Sequence, residues 1–175
     1  MAIAIDATVG SAAANSFVTL AEADSYMEGR LNSTLWDAAT DDSKNRSLVE
    51  ATRYLSALEW TGDRVDSTQS LAWPRQNAYD PDSPIYDYFG TTVIPARIDR
   101  GTYELANEFI KAGTTDVAGL DPSAEIKREK VDVLETEYTD AHARPEGLER
   151  YPSVTREINP LFANSSRAVG EVWKG

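Results

Sequence analysis

The stretch from residue 60 to residue 93, in the middle of the chain, constrains the fold more than any other feature. It interleaves six aromatic residues with prolines and glycines, namely Trp60, Trp73, Tyr79, Tyr86, Tyr88 and Phe89 among Gly62, Pro74, Pro81, Pro84 and Gly90. Proline lacks an amide donor and glycine favours turns, so this density excludes a long helix or a central strand. So many aromatic side chains are atypical of a disordered linker. We therefore predict a long ordered loop that its own aromatic residues hold in place.

Amphipathic helices are predicted on both sides of this loop. Thr19 and Glu22 form a capping-box pattern, and Thr40 precedes two aspartates that suit the start of the best-supported helix. After the loop, Pro95 occupies a favoured first position, and Gly113 can end that helix. The predicted helices span residues 20–31, 41–59 and 95–112, with room for a short one around Leu35 and Trp36. The fold class is therefore mainly α, a small bundle of three to four helices.

The two ends of the chain differ from this helical region, so three parts are predicted. Residues 1–18 are small and apolar and are expected to form an extended N-terminal arm, followed by the helical bundle domain over residues 19–113. Residues 114–175 are expected to form a C-terminal extension or arm. It would contain one or two short β-strands, where β-branched residues alternate with charged ones, and a short helix that begins at Tyr151.

Both ends carry apolar side chains that would be costly to leave in water, so contacts between chains are expected there. The candidate interface residues are Ile3, Ile5, Val154, Ile158, Leu161, Phe162 and Trp173. The alternative is that the C-terminal third folds back onto its own bundle as ordinary core. The sequence pattern leaves both interpretations open.

Charge and composition exclude several classes of function. The chain has 29 acidic and 17 basic residues, a formal net charge of -12, so its surface repels phosphate backbones at long range. It has no cysteine, which excludes disulfides and thiolate metal sites and fits a reducing cytosol. No segment approaches the roughly 20 apolar residues of a membrane span. We expect a protein that is assembled in a cytosol, with no membrane partner.

Motifs for catalysis, cofactors or metals are weak or missing. His142 is the only histidine, and no second ligand motif accompanies it, so a solvated loop position is favoured. Asp80 and Asp82 lack the remaining ligands of a calcium loop, which favours a turn. No phosphate-binding glycine loop occurs. The prediction is therefore no enzyme, no catalytic residue, no cofactor and no metal.

Trp73 and Arg75 are the candidate anchor of the long loop. They could stack on the bases of a single strand, as in single-strand binders. The favoured alternative is that Trp73 fills the bundle while Arg75 pairs with an acidic residue.

Several segments, taken in order, resemble a phage protein family. They are residues 14–26, 50–55, 71–75, 94–95, 126–131 continuing to 137–138, and 151–154. Members of this family are often labelled DnaT-like ssDNA-binding proteins and are similar to head–tail connector, or adaptor, proteins. The matching segments cover most of the chain, from residue 14 to residue 162. One departure is Asp132, where a glycine is usual, and it affects the turn between the two expected strands.

The resemblance implies a structural virion protein at the neck of the particle. Such an adaptor docks onto the portal protein as a homo-oligomeric ring, a dodecamer, and contacts downstream tail or neck proteins. Viral DNA passes through its channel without specific binding, which suits an acidic wall. The family has no known active site to carry over. The alternative function is DnaT-like binding of single-stranded DNA, which the acidic composition disfavours.

Overall fold

The computed structural model describes residues 3–85, 87–113 and 147–162, and the backbone of residues 128–131 and 134–137. Five α-helices span Leu20–Glu28 (α1), Thr34–Ala38 (α2), Asp41–Ser56 (α3), Ala96–Ala112 (α4) and Pro152–Ile158 (α5). Antiparallel two-stranded pairs join Asp63–Arg64 (β1) to Arg75–Gln76 (β2) and Arg128–Val131 (β3) to Leu134–Glu137 (β4). Short 3₁₀ turns flank α5 at Gly147–Arg150 and Asn159–Leu161. The predicted mainly α fold is confirmed.

Helix α4 is the centre of the fold, because α3 packs on it from one side and α5 from another. Ile98, Leu105, Ala106 and Phe109 are buried along its length. Gly113 adopts a left-handed conformation, φ 67°, and ends the helix as expected for a glycine cap.

The helix starts were predicted more accurately than the helix ends. Thr19 and Glu22 make the full capping box, and the Thr40 hydroxyl accepts from the Ser43 amide at the start of α3. Helix α1 stops at Glu28 rather than at residue 31, since the Gly29 and Arg30 amides bond to Tyr26 and Met27 and turn the chain. Leu31, the last residue of the predicted helix, therefore lies outside the helix and is fully exposed.

The N-terminal segment packs against the bundle, so the prediction of an extended arm is wrong for residues 3–18. Ala14, Phe17 and Val18 are buried in the core. The Asn15 side chain accepts from the Asp6 amide and donates to the Ala4 carbonyl, which folds the segment back on itself. The segment has no helix or strand of its own, and the burial of these three apolar side chains holds it on the bundle.

The C-terminal segment from Gly147 to Phe162 is also part of the core, so the prediction of a projecting arm is wrong there. Val154, Ile158 and Leu161 are at most 1% exposed. Helix α5 approaches α4 at Gly101, where an added Cβ would lie 2.6 Å from Ile158 Cγ2. Arg100 Nε donates to Glu157 at 2.7 Å across the same contact. The short helix was placed correctly along the chain, but its apolar face is covered by α4.

The predicted β-strands in the C-terminal third are present as one hairpin. Strands β3 and β4 pair antiparallel, with Arg128 opposite Glu137 and Val131 opposite Leu134. Asp132 lies outside the described residues.

Candidate interaction surfaces

The indole of Trp73 lies in the core and contacts two other aromatic residues of the long loop. Trp73 is 1% exposed and makes edge contacts with Trp60 and Phe89, at centroid distances of 5.9 and 5.8 Å. Trp60 in turn stacks on Phe162 at 4.9 Å. Such aromatic contacts add about 0.5–1.5 kcal/mol each beyond burial. Base stacking on Trp73 would require this cluster to open.

Arg75 holds the start of the loop through main-chain carbonyls, not through an acidic residue as expected. Its guanidinium donates to the carbonyls of Thr61 at 2.7 Å, of Ala72 at 3.2 Å, and of Gly62. Burial lowers the pKa of Arg75 from its ordinary value, and the nearby Asp63 opposes that shift. Gly62, at φ 70°, has no room for a side chain, because a Cβ there would lie 2.3 Å from the Gln76 carbonyl oxygen. The N–H groups of Arg75 are thus engaged within the loop.

Residues 78–85 and 87–89 form a hairpin, which we call the finger. The Phe89 amide donates to the Ala78 carbonyl at 2.9 Å, and the Asp80 amide donates to the Asp87 main-chain carbonyl at 3.0 Å. Asp80 also accepts from the Asp82 amide, so the Asp80–Asp82 segment is a turn. Asp82 accepts two bonds of 2.7 Å from Arg97 on α4, and this bidentate pair fastens the finger to the first turn of α4.

The finger exposes two large side chains to solvent, Ile85 in its turn and Tyr88, which pairs with Tyr79 near its base. Ile85 is 76% exposed and Tyr88 is 59% exposed. Exposed apolar groups that lie close together on an ordered element are typical of interaction sites. The sequence predicts a loop held by its own aromatic residues, but composition alone does not distinguish the partly buried Phe89 from the exposed Tyr88.

An open groove of about 330 Å³ lies between α3 and the end of α4, and we call it the α3–α4 groove. It is lined by small and apolar residues and by one charge of each sign, namely Ala39, Ser43, Ser47, Phe109, Ile110 and Gly113 with Arg46 and Glu50. Arg46 pairs with Asp42 at 2.9 Å, and Glu50 pairs with Arg53 at 2.8 Å. The groove is therefore close to neutral in a strongly acidic protein, and no sequence motif had indicated it.

The candidate interface residues of the two ends are not brought together on one surface. Ile3 is half-buried, its amide donating to Asp42 and its carbonyl accepting from Asn45. Ile5 packs against the core. Phe162 lies on Trp60. Trp173 lies outside the described residues.

One carboxyl group with a raised pKa lies near the first turns of α1 and α4. Burial, together with the nearby Glu22, raises the pKa of Asp99 to about 7, and Arg100 opposes the shift. Burial also raises the pKa of Tyr26 to about 12, and its hydroxyl donates to Glu104 at 2.8 Å. Glu104 is 3% exposed and pairs with Arg30 at 2.5 Å. Glu104 is thus paired with Arg30. Within the described ranges, no group of three or more His, Cys, Asp or Glu side chains could hold a metal ion.

His142 lies outside the described residues. Within the part of the chain that the structure describes, no helix is long and apolar enough to cross a membrane.

The fold and these surfaces define a small, acidic, mainly α-helical protein with exposed apolar elements on an ordered body. The chain belongs to the family described as "Putative DnaT-like ssDNA binding protein", whose model matches residues 1–174. No curated protein and no solved structure matches the chain significantly.

Proposed function

We propose that this chain is a structural virion protein, a head–tail connector that docks as a ring onto the portal and links the phage head to the tail. The observation that carries the proposal is the exposed apolar surface of the finger, at Ile85 and Tyr88, in a protein whose net charge is -12. Apolar patches on an ordered element favour protein partners. The negative field disfavours a polyanion at the same surface.

The charge also suits a channel for DNA. A like-charged wall does not retain a duplex that must slide past it, because the long-range electrostatic term is repulsive. The proposal assigns the chain no catalytic activity, no cofactor and no metal. Its place in the particle would be the neck, after assembly in the host cytoplasm.

Binding of single-stranded DNA is the second candidate, and the description of the family favours it. Binders of this kind combine a basic groove with aromatic side chains on which bases stack. Here the three described tryptophans, Trp36, Trp60 and Trp73, are at most 6% exposed. Arg75 is engaged by carbonyls. Among the residues that the structure describes, Tyr88 is the exposed aromatic residue that a base could reach.

The two functions are separated by two measurements on the full chain. Mass photometry with and without the portal ring encoded by the same phage genome should show a discrete added mass for a connector. Fluorescence anisotropy with a labelled single strand at physiological salt should show no binding. Salt-sensitive binding of the strand, together with no portal complex, would overturn the connector proposal.

If a strand does bind, the variant to examine is Tyr88→Ala rather than Trp73→Ala, since loss of Trp73 would disturb the core. A base stacked on Tyr88 should make that substitution cost about 1–3 kcal/mol of binding free energy. Ile85→Ala, on the same finger, is the matched control for a change of shape without an aromatic ring.

A further inference from the structure

We propose that Asp99 is a pH-sensitive latch between α1 and α4, which holds the two helices together while its carboxyl group is protonated and loosens them when the group ionises. The inference concerns the body of the domain and needs no partner, so it stands or falls separately from the proposed connector function. Two observations point to it: the way in which α1 and α4 are aligned, and the engagement of the nearby cations by other acids.

Helices α1 and α4 meet through side chains at matching positions. The ring of Tyr26 lies 4.8 Å from the ring of Tyr103, and the Tyr26 hydroxyl donates to Glu104 at 2.8 Å. Glu22 precedes Tyr26 by four residues and Asp99 precedes Tyr103 by four residues, so each acid lies on the same helix face as its tyrosine, about one turn earlier. The alignment that stacks the two rings thus turns the two carboxyl groups towards each other.

The cations near this contact are engaged by other acids. Arg100 Nε donates to Glu157 on α5 at 2.7 Å, and Arg30 pairs with the buried Glu104 at 2.5 Å. Within the described residues, neither arginine forms an ion pair with Asp99. An ionised Asp99 is therefore a half-buried carboxylate that faces a second acid of α1 without a cation of its own, which is unfavourable.

Helix α1 is the element expected to open, because little of it is buried. Of its nine residues Ala23 and Met27 are buried, whereas α4 buries nine of its seventeen. An element with few buried apolar side chains opens at a lower free energy than the whole domain unfolds. When α1 detaches, Asp99 loses its cover and the facing Glu22, so its pKa returns towards the ordinary 3.8.

The size of the effect follows from the pKa of Asp99 in the closed and open contact. Burial, together with Glu22, raises it to about 7 in the closed contact, and Arg100 opposes the shift. The closed contact therefore binds the proton more tightly than the open one, and opening becomes more favourable as the pH rises. With values of about 7 and 3.8, the equilibrium constant for opening α1 should rise about tenfold between pH 6 and pH 8 and level off above pH 8.

Hydrogen exchange of the full chain, followed by mass spectrometry at pH 6 and pH 8 and corrected for the intrinsic exchange rate, measures this opening in residues 19–31. The wild type should show the tenfold rise, and Asp99→Asn should show the same opening constant at both pH values. Asp41→Asn is the matched control, since Asp41 is an exposed aspartate in the first turn of α3, and it should keep the rise. A rise that survives in Asp99→Asn would overturn the latch.

The amides of residues 101–107, in the buried part of α4, separate local opening from unfolding of the whole domain. At pH 8 the protected amides of α1 should exchange at least about tenfold faster than these, because α1 opens while α4 stays in place. Equal protection of the two helices would mean that α1 opens only with the whole domain, and that result would also overturn the latch.

Glu22→Gln tests the facing acid without removing the cap of α1. Glutamine serves at the same position of a capping box, so the Thr19 amide keeps its acceptor while the negative charge is lost. Carbon-13 NMR of the Asp99 carboxyl group, at low salt where the exposed Glu22 is least screened, should give a midpoint near 7 in the wild type and a lower one in Glu22→Gln. A wild-type midpoint near 3.8, or one that Glu22→Gln leaves unchanged, would overturn the contact on which the latch depends.

Discussion

Truncating Ile158 tests whether α5 is core, because the chain offers the same substitution at a buried and at an exposed isoleucine. Ile158 is fully buried against α4, whereas Ile85 is 76% exposed. Ile158→Ala removes apolar atoms from a closed site and leaves a cavity, which costs about 2–5 kcal/mol of unfolding free energy. Ile85→Ala removes the same atoms from solvent and should change that free energy by no more than about 0.5 kcal/mol.

Urea unfolding followed by circular dichroism and tryptophan fluorescence measures both changes. With a slope of about 1–3 kcal/mol per molar urea for a small domain, the midpoint of Ile158→Ala should fall by roughly 1 M or more. A folded Ile158→Ala protein whose midpoint stays within error of the wild type would refute the packing of α5 on α4.

The close approach at Gly101 supplies a second, independent readout. A methyl group at Gly101 would meet Ile158 Cγ2 at 2.6 Å, so Gly101→Ala should destabilise the wild type. In the Ile158→Ala background the opposing methyl group is gone, and the same substitution should cost less. A double-mutant cycle should therefore give a favourable coupling of about 0.5–3 kcal/mol. Additive effects would mean that the two residues do not meet.

Two further changes test the buried carboxyl groups. The pKa of Asp99 is about 7 in the folded state against an ordinary 3.8, so the folded state binds the proton more tightly than the unfolded state. The contribution of this group to the free energy of unfolding is therefore present below about pH 4 and is lost as the pH rises through about 7. The Asp99→Asn protein should not lose stability over this pH range, and at pH 8 it should be more stable than the wild type by at most about 4 kcal/mol. Urea unfolding of both proteins at pH 5 and at pH 8 measures this. The same difference in unfolding free energy between the two proteins at both pH values would contradict the prediction. Glu104→Gln keeps a hydrogen-bond acceptor for Tyr26 but loses the negative charge that faces Arg30. It should therefore lower the free energy of unfolding by about 1–3 kcal/mol in the same assay. An unchanged free energy of unfolding would contradict the pairing of Glu104 with Arg30.

The helices could be predicted from the sequence because their signals are local. The capping box at Thr19 and Glu22, the cap at Thr40 and the stop at Gly113 each act within one turn, and each is present in the structure. Helix ends without a strong stop were less predictable. The region after Glu28 kept an apolar residue, Leu31, at helical spacing, but the backbone had already turned.

Contacts between distant segments could not be predicted in the same way. The spacing of Val154, Ile158 and Leu161 shows that a face is buried, but an apolar face has the same pattern whether it meets its own chain or a neighbour. Gly101 was the available signal, since a glycine within the predicted helix marks a place where another segment can approach closely. The acceptors of Arg75 are backbone carbonyls, which every residue carries, so no side chain in the sequence could identify them.

The packing of α5 decides where contacts between copies can form. Releasing Val154, Ile158 and Leu161 to meet a neighbour would first expose three buried side chains, at about 5–9 kcal/mol. That is comparable with the whole unfolding free energy of a typical domain, about 5–15 kcal/mol. The finger and the α3–α4 groove are already exposed on the folded body, so a contact through them requires no such release. If the proposed ring forms, its copies are therefore expected to meet through surface that is already exposed and to keep α5 in the core of each copy.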